Sequence, residues 1–177
     1  DFQGSRGLGD VYKRQEGRKA ALEAIAALKE YMPGCSAGKL RNFGMTIGIR
    51  DTYKIDSVYN LSDEDVKNEC RFEDSVGIYP EFIDGFGVLV LPTTGRYMHI
   101  PYRSLLPKNV KGLLVVGRAI GGSNIAHAAT RNMACCTVTG QGAGVAAAET
   151  IKNKTSLNSV NISNVQKLLS NQNVRVF

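Results

Sequence analysis

The chain has 177 residues, a formal charge of +6 and 43% hydrophobic residues, enough apolar material for one packed domain or parts of two. Its Lys and Arg are scattered with no run of five or six and no interleaved aromatics, so nothing favours nucleic acid over a solvated surface. No apolar run approaches the roughly 18 residues of a membrane span. The four cysteines (Cys35, Cys70, Cys135, Cys136) form no C-x-x-C, which reads as buried thiols in a reducing, cytoplasmic setting.

Residues 1–15, "DFQGSRGLGDVYKRQ", resemble a sequencing-library adapter read through in one frame, and fold reasoning starts at Glu16. Without them the charge is +5 over 162 residues, because three basic and two acidic residues leave the count. The native protein is then expected to extend N-terminally, and this chain to be its C-terminal part.

From Glu16 the periodicity predicts an amphipathic helix within 16–39, with Leu22, Ile25, Leu28 and Met32 on its apolar face and Pro33-Gly34 as its stop. Residues 40–109 read as β-rich: "MTIGIRDTYKIDSVYNL", "GFGVLVLP" and "RYMHIPYRSLLP" are short apolar or alternating runs broken by Gly and Pro. Within them "LSDEDVKNE" predicts one short helix, capped by Ser62, acidic in its first turn and with Val66 facing inward.

In 110–152, Leu113 to Val116 is an unbroken aliphatic run, expected of a central parallel strand buried on both faces and ending at Gly117-Arg118. Ala119 to Ala129 has neither bulk nor periodicity and reads as a loop. Arg131 to Lys152 permits one long helix, and the tail 153–177 holds a short one with Val165, Leu168 and Leu169 inward.

"TGQGAGVAAAE", Thr139 to Glu149, admits two readings. As G-x-G-x-x-V after a strand it would be a variant dinucleotide loop, but the second strand and acidic residue required about 20 residues on are missing. As the middle of a helix its three glycines cost roughly 0.8–1 kcal/mol each against Ala, so a close neighbour must offset them. Gly140 and Gly144, four apart, would then form a bare face against the Leu113–Val116 sheet.

"IPYRSLLPKNVKGLLVVGRAIGG" followed by "ATRNMACCTVTGQGAGVAAAE" resembles the C-terminal part of an FAD-dependent oxidoreductase family related to the flavin subunit of heterodisulfide reductases and, distantly, to fumarate reductase flavoproteins. "IGIRDTYKIDSVYNLSDEDV", "RFEDSVGIYPEFIDG" and "VQKLLSNQNV" extend the likeness over nearly everything after Gln15. The resemblance implies an α/β fold: the C-terminal part of a Rossmann-like FAD-binding domain, a buried strand plus a long Gly/Ala-rich helix, joined to a β-rich substrate-side region. It implies FAD as cofactor and hydride transfer with a small-molecule substrate. The ADP half would be gripped by an N-terminal FAD-binding segment absent from this chain, which alone would be inactive. A 4Fe-4S cluster, where relatives carry one, would lie in that absent part, and no metal ligands are expected here.

Carried over by position, the resemblance gives Gly117, Arg118, Asn124, Arg131, Asn132 and Met133 as cofactor-binding residues. Many family members have His where this chain has Asn124, and D-x-H where it has Asp84-Gly85-Phe86. No catalytic residue is assigned. Arg50, His99, Tyr102 and Arg103, from the region resembling the substrate side, and His127 are candidates, each as compatible with a structural role. A redox dithiol at Cys135-Cys136 is disfavoured, since neighbours in a helix point about 100° apart. The competing reading is a non-catalytic module that keeps Rossmann-like packing and holds no flavin.

Overall fold

A computed structural model describes residues 8–44, 53–85, 88–91, 93 and 95–177. The chain divides into two compact units, 1–49 and 50–177.

In the first unit, α1 runs from Leu8 to Tyr31, across the boundary drawn after Gln15. It stops where expected: Gly34 takes φ +83°, a left-handed conformation that turns the chain out of the helix. The expected apolar face is not buried. Ile25 is half-buried, but Leu22, Leu28 and Met32 are exposed, because correct spacing buries a stripe only where a partner covers it.

In the second unit the described chain is irregular from Tyr53 and then forms α2, Asp63–Lys67. Its capping box is complete: the Ser62 hydroxyl accepts from the Asp65 N–H and the Asp65 carboxylate accepts from the Ser62 N–H, with Val66 buried below. Next come β1 (Ser75–Pro80), β2 (Ile83–Gly85), β3 (Val88–Val90) and β4 (Tyr97–Pro101). They form two small antiparallel sheets, β1 with β4 and β2 with β3. In the first, Ile78 pairs with His99 and Tyr79 with Met98, and the register shifts between Ser75 and Ile78.

That irregularity lets consecutive residues of β1 meet one helix. The long helix α4, Met133–Asn153, lays Val138 against Gly77 and Gly142 against Val76. Val138 and Gly142 are four apart and share a helix face, so large meets small in both directions. The expected bare face is therefore misplaced. Gly142 makes the close contact, whereas Gly140 and Gly144 have nothing within 4 Å of where a Cβ would sit.

Two other segments differ from the sequence reading. Leu113–Val116 joins no strand ladder among the described residues, and Leu113 and Val116 are exposed. The Val115 N–H donates to the Leu105 carbonyl at 2.9 Å, but an aliphatic run becomes a central strand only with ladder partners beside it. Residues read as a loop form α3, Asn124–Thr130. Small residues hid its periodicity, but Ala is the best helix former, and the Ser123 hydroxyl caps it by accepting from the Ala126 N–H at 3.1 Å.

The last helix, α5 (Ile162–Asn171), buries Val165 and Leu169 completely and leaves Leu168 at the exposed margin. The chain end returns to β1, where the Ile78 N–H donates to the Arg175 carbonyl at 3.3 Å. The core joins Leu61, Val76, Ile100, Leu105, Ala146, Val165 and Leu169, so the β-rich stretch and the C-terminal helices bury one another.

Candidate functional site

A turn of 3-10 helix, Gly117–Ala119, follows the Leu113–Val116 segment and packs on α4. Gly117 has φ +72°, and a Cβ there would reach 3.8 Å from Cys136 Sγ. Its N–H donates to Thr139 Oγ1 at 3.0 Å. Arg118 is exposed and close enough for its charge to favour the Cys136 thiolate, although burial still holds that thiol above its usual range. The Cys135 thiol is pushed up further by burial. Both remain thiols, which argues against a redox dithiol.

Arg131 does not open α4. It is the C-terminal cap of α3, its N–H donating to the His127 carbonyl at 2.9 Å, so the cation stands at the helix end it favours. Its guanidinium donates to the Asp84 carbonyl in β2, tying the β2–β3 hairpin to the α3–α4 break. The long helix read from Arg131 to Lys152 thus begins two residues later, after a separate helix α3.

Asn132 is the N-cap residue of α4, yet its side chain makes no capping bond and donates back to the Ala129 carbonyl at 3.2 Å. Met133 is 88% exposed. Among the described residues the first-turn amides of α4 have no side-chain cap from Asn132, at the positive end of a 21-residue helix, where anionic groups are stabilised. Gly117, Arg118, Asn132 and Met133 gather around this end. Asn124 lies apart at the start of α3, its Oδ1 accepting from Lys54 Nζ at 3.1 Å.

Near Asn124 an open cleft of about 560 Å³ is lined by Lys54, Asp56, Asn60, Ser62, Gly122 and Ser123. The sequence reading missed this lining, whose residues are ordinary loop polars until α2 and α3 bring their caps together. Thr139 was missed also. It stood in a quoted motif, but nothing in the sequence names its partner 22 residues earlier.

The catalytic candidates that are described sit in these surroundings. Arg50 lies outside the described residues. His99 is buried, with Nδ1 accepting from the Phe72 N–H at 3.1 Å and its ring against Tyr97 and Phe177. Burial and the Arg71 charge hold its pKa below the usual value, against the opposing Phe72 backbone contact. The Tyr102 hydroxyl donates to the Leu157 carbonyl at 2.9 Å, and burial pushes its pKa up to about 12. Arg103 makes a two-pronged contact with Asp74, at 2.9 and 3.2 Å, and lies over the Tyr59 ring. His127 is buried within α3.

Against this geometry, the sequence model of the FAD dependent oxidoreductase family matches residues 7–169. The chain belongs to that family. The match spans both compact units and begins within the stretch 1–15. Comparisons with curated proteins and with solved structures give no match. Membership carries the coarse expectations of a mixed α/β fold, FAD and oxidoreductase chemistry. Among the described residues, no group of three or more His, Cys, Asp and Glu is placed to hold a metal, and no helix is long and apolar enough to cross a membrane.

The residues present fit one end of a flavin. A helix start whose N-cap side chain makes no capping bond and a glycine at the head of the neighbouring turn suit close backbone approach by a polar ring edge or phosphate, while the chain has no G-x-G-x-x-G for the ADP half.

Proposed function

We propose that this chain closes over the flavin end of an FAD-dependent oxidoreductase related to the heterodisulfide reductase flavin subunit, acting on a small-molecule substrate. The ADP half of the cofactor is held by a segment N-terminal to Glu16, and residues 1–15 are foreign to the native protein. The observation that carries this reading is the uncapped first turn of α4 beside the Gly117-Arg118 turn, in a chain of an FAD-dependent family. When bound, FAD supplies hydride transfer, and the protein supplies orientation and electrostatics.

The first-turn amides at Met133 and Ala134 would hold the electron-rich edge of the ring, the α4 dipole would favour negative charge there, and Arg118 would add a full positive charge. Gly117, without a side chain, lets the backbone approach. Four free cysteines suit a reducing cytoplasm.

The test is expression of the chain extended by its own upstream reading frame. A yellow, FAD-loaded product is expected, with upstream sequence that contains a strand and G-x-G-x-x-G. The 177-residue chain alone should bind FAD weakly or not at all. A colourless, well-folded extended product would overturn the reading in favour of a non-catalytic module.

A further inference from the structure

We propose that Thr139 is a positioning residue for the flavin-binding turn, its buried hydroxyl locking Gly117, and through it Arg118, onto α4. The inference rests on the reading that Gly117-Arg118 contacts FAD.

Thr139 is completely buried. A hydroxyl offers one donor and two acceptor lone pairs. Here the donor goes to the Cys136 carbonyl at 2.9 Å, within the same helix. That fixes the rotor and turns the lone pairs toward the Gly117 N–H, 3.0 Å away. Thr130, Thr137 and Thr150 also donate back to helix carbonyls. In Thr139 the same oxygen accepts from a different segment.

The far end of the turn is held by the Ile55 N–H, which donates to the Ala119 carbonyl at 2.9 Å, whereas its Gly117 end is held by Thr139. The turn's own closing bond, Ile120 N–H to the Gly117 carbonyl, is 3.5 Å long. Gly117 stands at φ +72°, so the Thr139 bond selects one of several conformations open to a glycine. Arg118 is the next residue, and its direction follows from that choice. Thr139 touches no expected cofactor atom and works through the turn.

The variants T139V, T139S and T150V test this. Valine keeps the shape and removes the hydroxyl, serine keeps the hydroxyl, and Thr150 is a buried helix threonine without a bond to the turn. In the 177-residue chain, Gly117 amide exchange followed by NMR should be about tenfold faster in T139V, as for loss of one hydrogen bond, and unchanged in T139S and T150V. In the upstream-extended protein T139V should weaken FAD binding on the order of tenfold and shift the visible flavin band, while T139S restores both.

Unchanged Gly117 exchange and FAD affinity in T139V would overturn the inference, as would an equal loss in T150V, which points to general helix damage. Should T139V fail to fold, T139S decides: wild-type Gly117 exchange supports the inference and fast exchange overturns it. A flavin-free extended wild type overturns the cofactor reading and this inference together. Flavin-loaded wild type with an indifferent T139V overturns this inference alone.

Discussion

A Cβ placed on Gly142 would stand 2.7 Å from the Cβ of Val76, closer than side chains pack, so strand β1 and helix α4 meet at a glycine. The contact explains one helix glycine and leaves Gly140 and Gly144 unexplained, because both face open space. Gly142→Ala should therefore destabilise the protein by about 1–3 kcal/mol through overpacking, less the gain in helix propensity. Gly140→Ala and Gly144→Ala should each stabilise this chain by roughly 0.8–1 kcal/mol. Denaturant midpoints of the three variants check this, and a Gly142→Ala no less stable than Gly144→Ala would sink the packing argument.

Arg103 and Tyr102 are expected to hold the fold together and not to act on substrate. Arg103→Ala removes a two-pronged but partly exposed pair with Asp74 and should cost about 1 kcal/mol, an effect that shrinks in high salt. Tyr102→Phe leaves the Leu157 carbonyl without its buried donor and should also cost about 1 kcal/mol, independent of salt. In the upstream-extended protein both variants should load FAD normally. Flavin loss with stability unchanged would return either residue to the active site.

Local signals in the sequence were reliable where the cause was local. Ser62 and Asp65 are three apart and cap their own helix, Gly34 ends α1 by its own φ, and Val165 and Leu169 share the face of α5 that is buried. Signals that depend on a partner were not. Leu113–Val116 has the composition of a central strand, yet no described strand pairs with it, and Leu22 and Leu28 have helical spacing with no cover. Arg131 illustrates a third case: the Thr130–Met133 break between α3 and α4 moves it from the helix start read in the sequence to a helix end, where a cation is favoured. For the candidate site, the family resemblance named Gly117, Arg118, Asn132 and Met133, and the structure places Gly117 against α4 near its start. Thr139 and the Lys54–Ser123 cleft were not legible in the sequence, since those contacts are made by distant segments.

His99 should make the fold sensitive to mild acid. Its ring is buried beside Phe72, Tyr97 and Phe177, and burial together with Arg71 places its folded-state pKa below the unperturbed value of about 6.5. As pH falls through 6.5 the unfolded chain takes up the proton first, so this contribution is complete above that pH and declines below it until folded His99 also protonates. Asp65 acts at lower pH. Burial alone would raise its pKa, but bonds from Ser62, Cys70 and Tyr59 outweigh that and hold it below the usual carboxylate range, so its contribution is lost as pH falls below about 3.9. Unfolding midpoints at pH 7.5, 6.5 and 5.5 should therefore fall with pH in the wild type and fall less in His99→Asn, whose side-chain oxygen can still accept from the Phe72 N–H. Parallel slopes for the two proteins would show that His99 is not the group responsible.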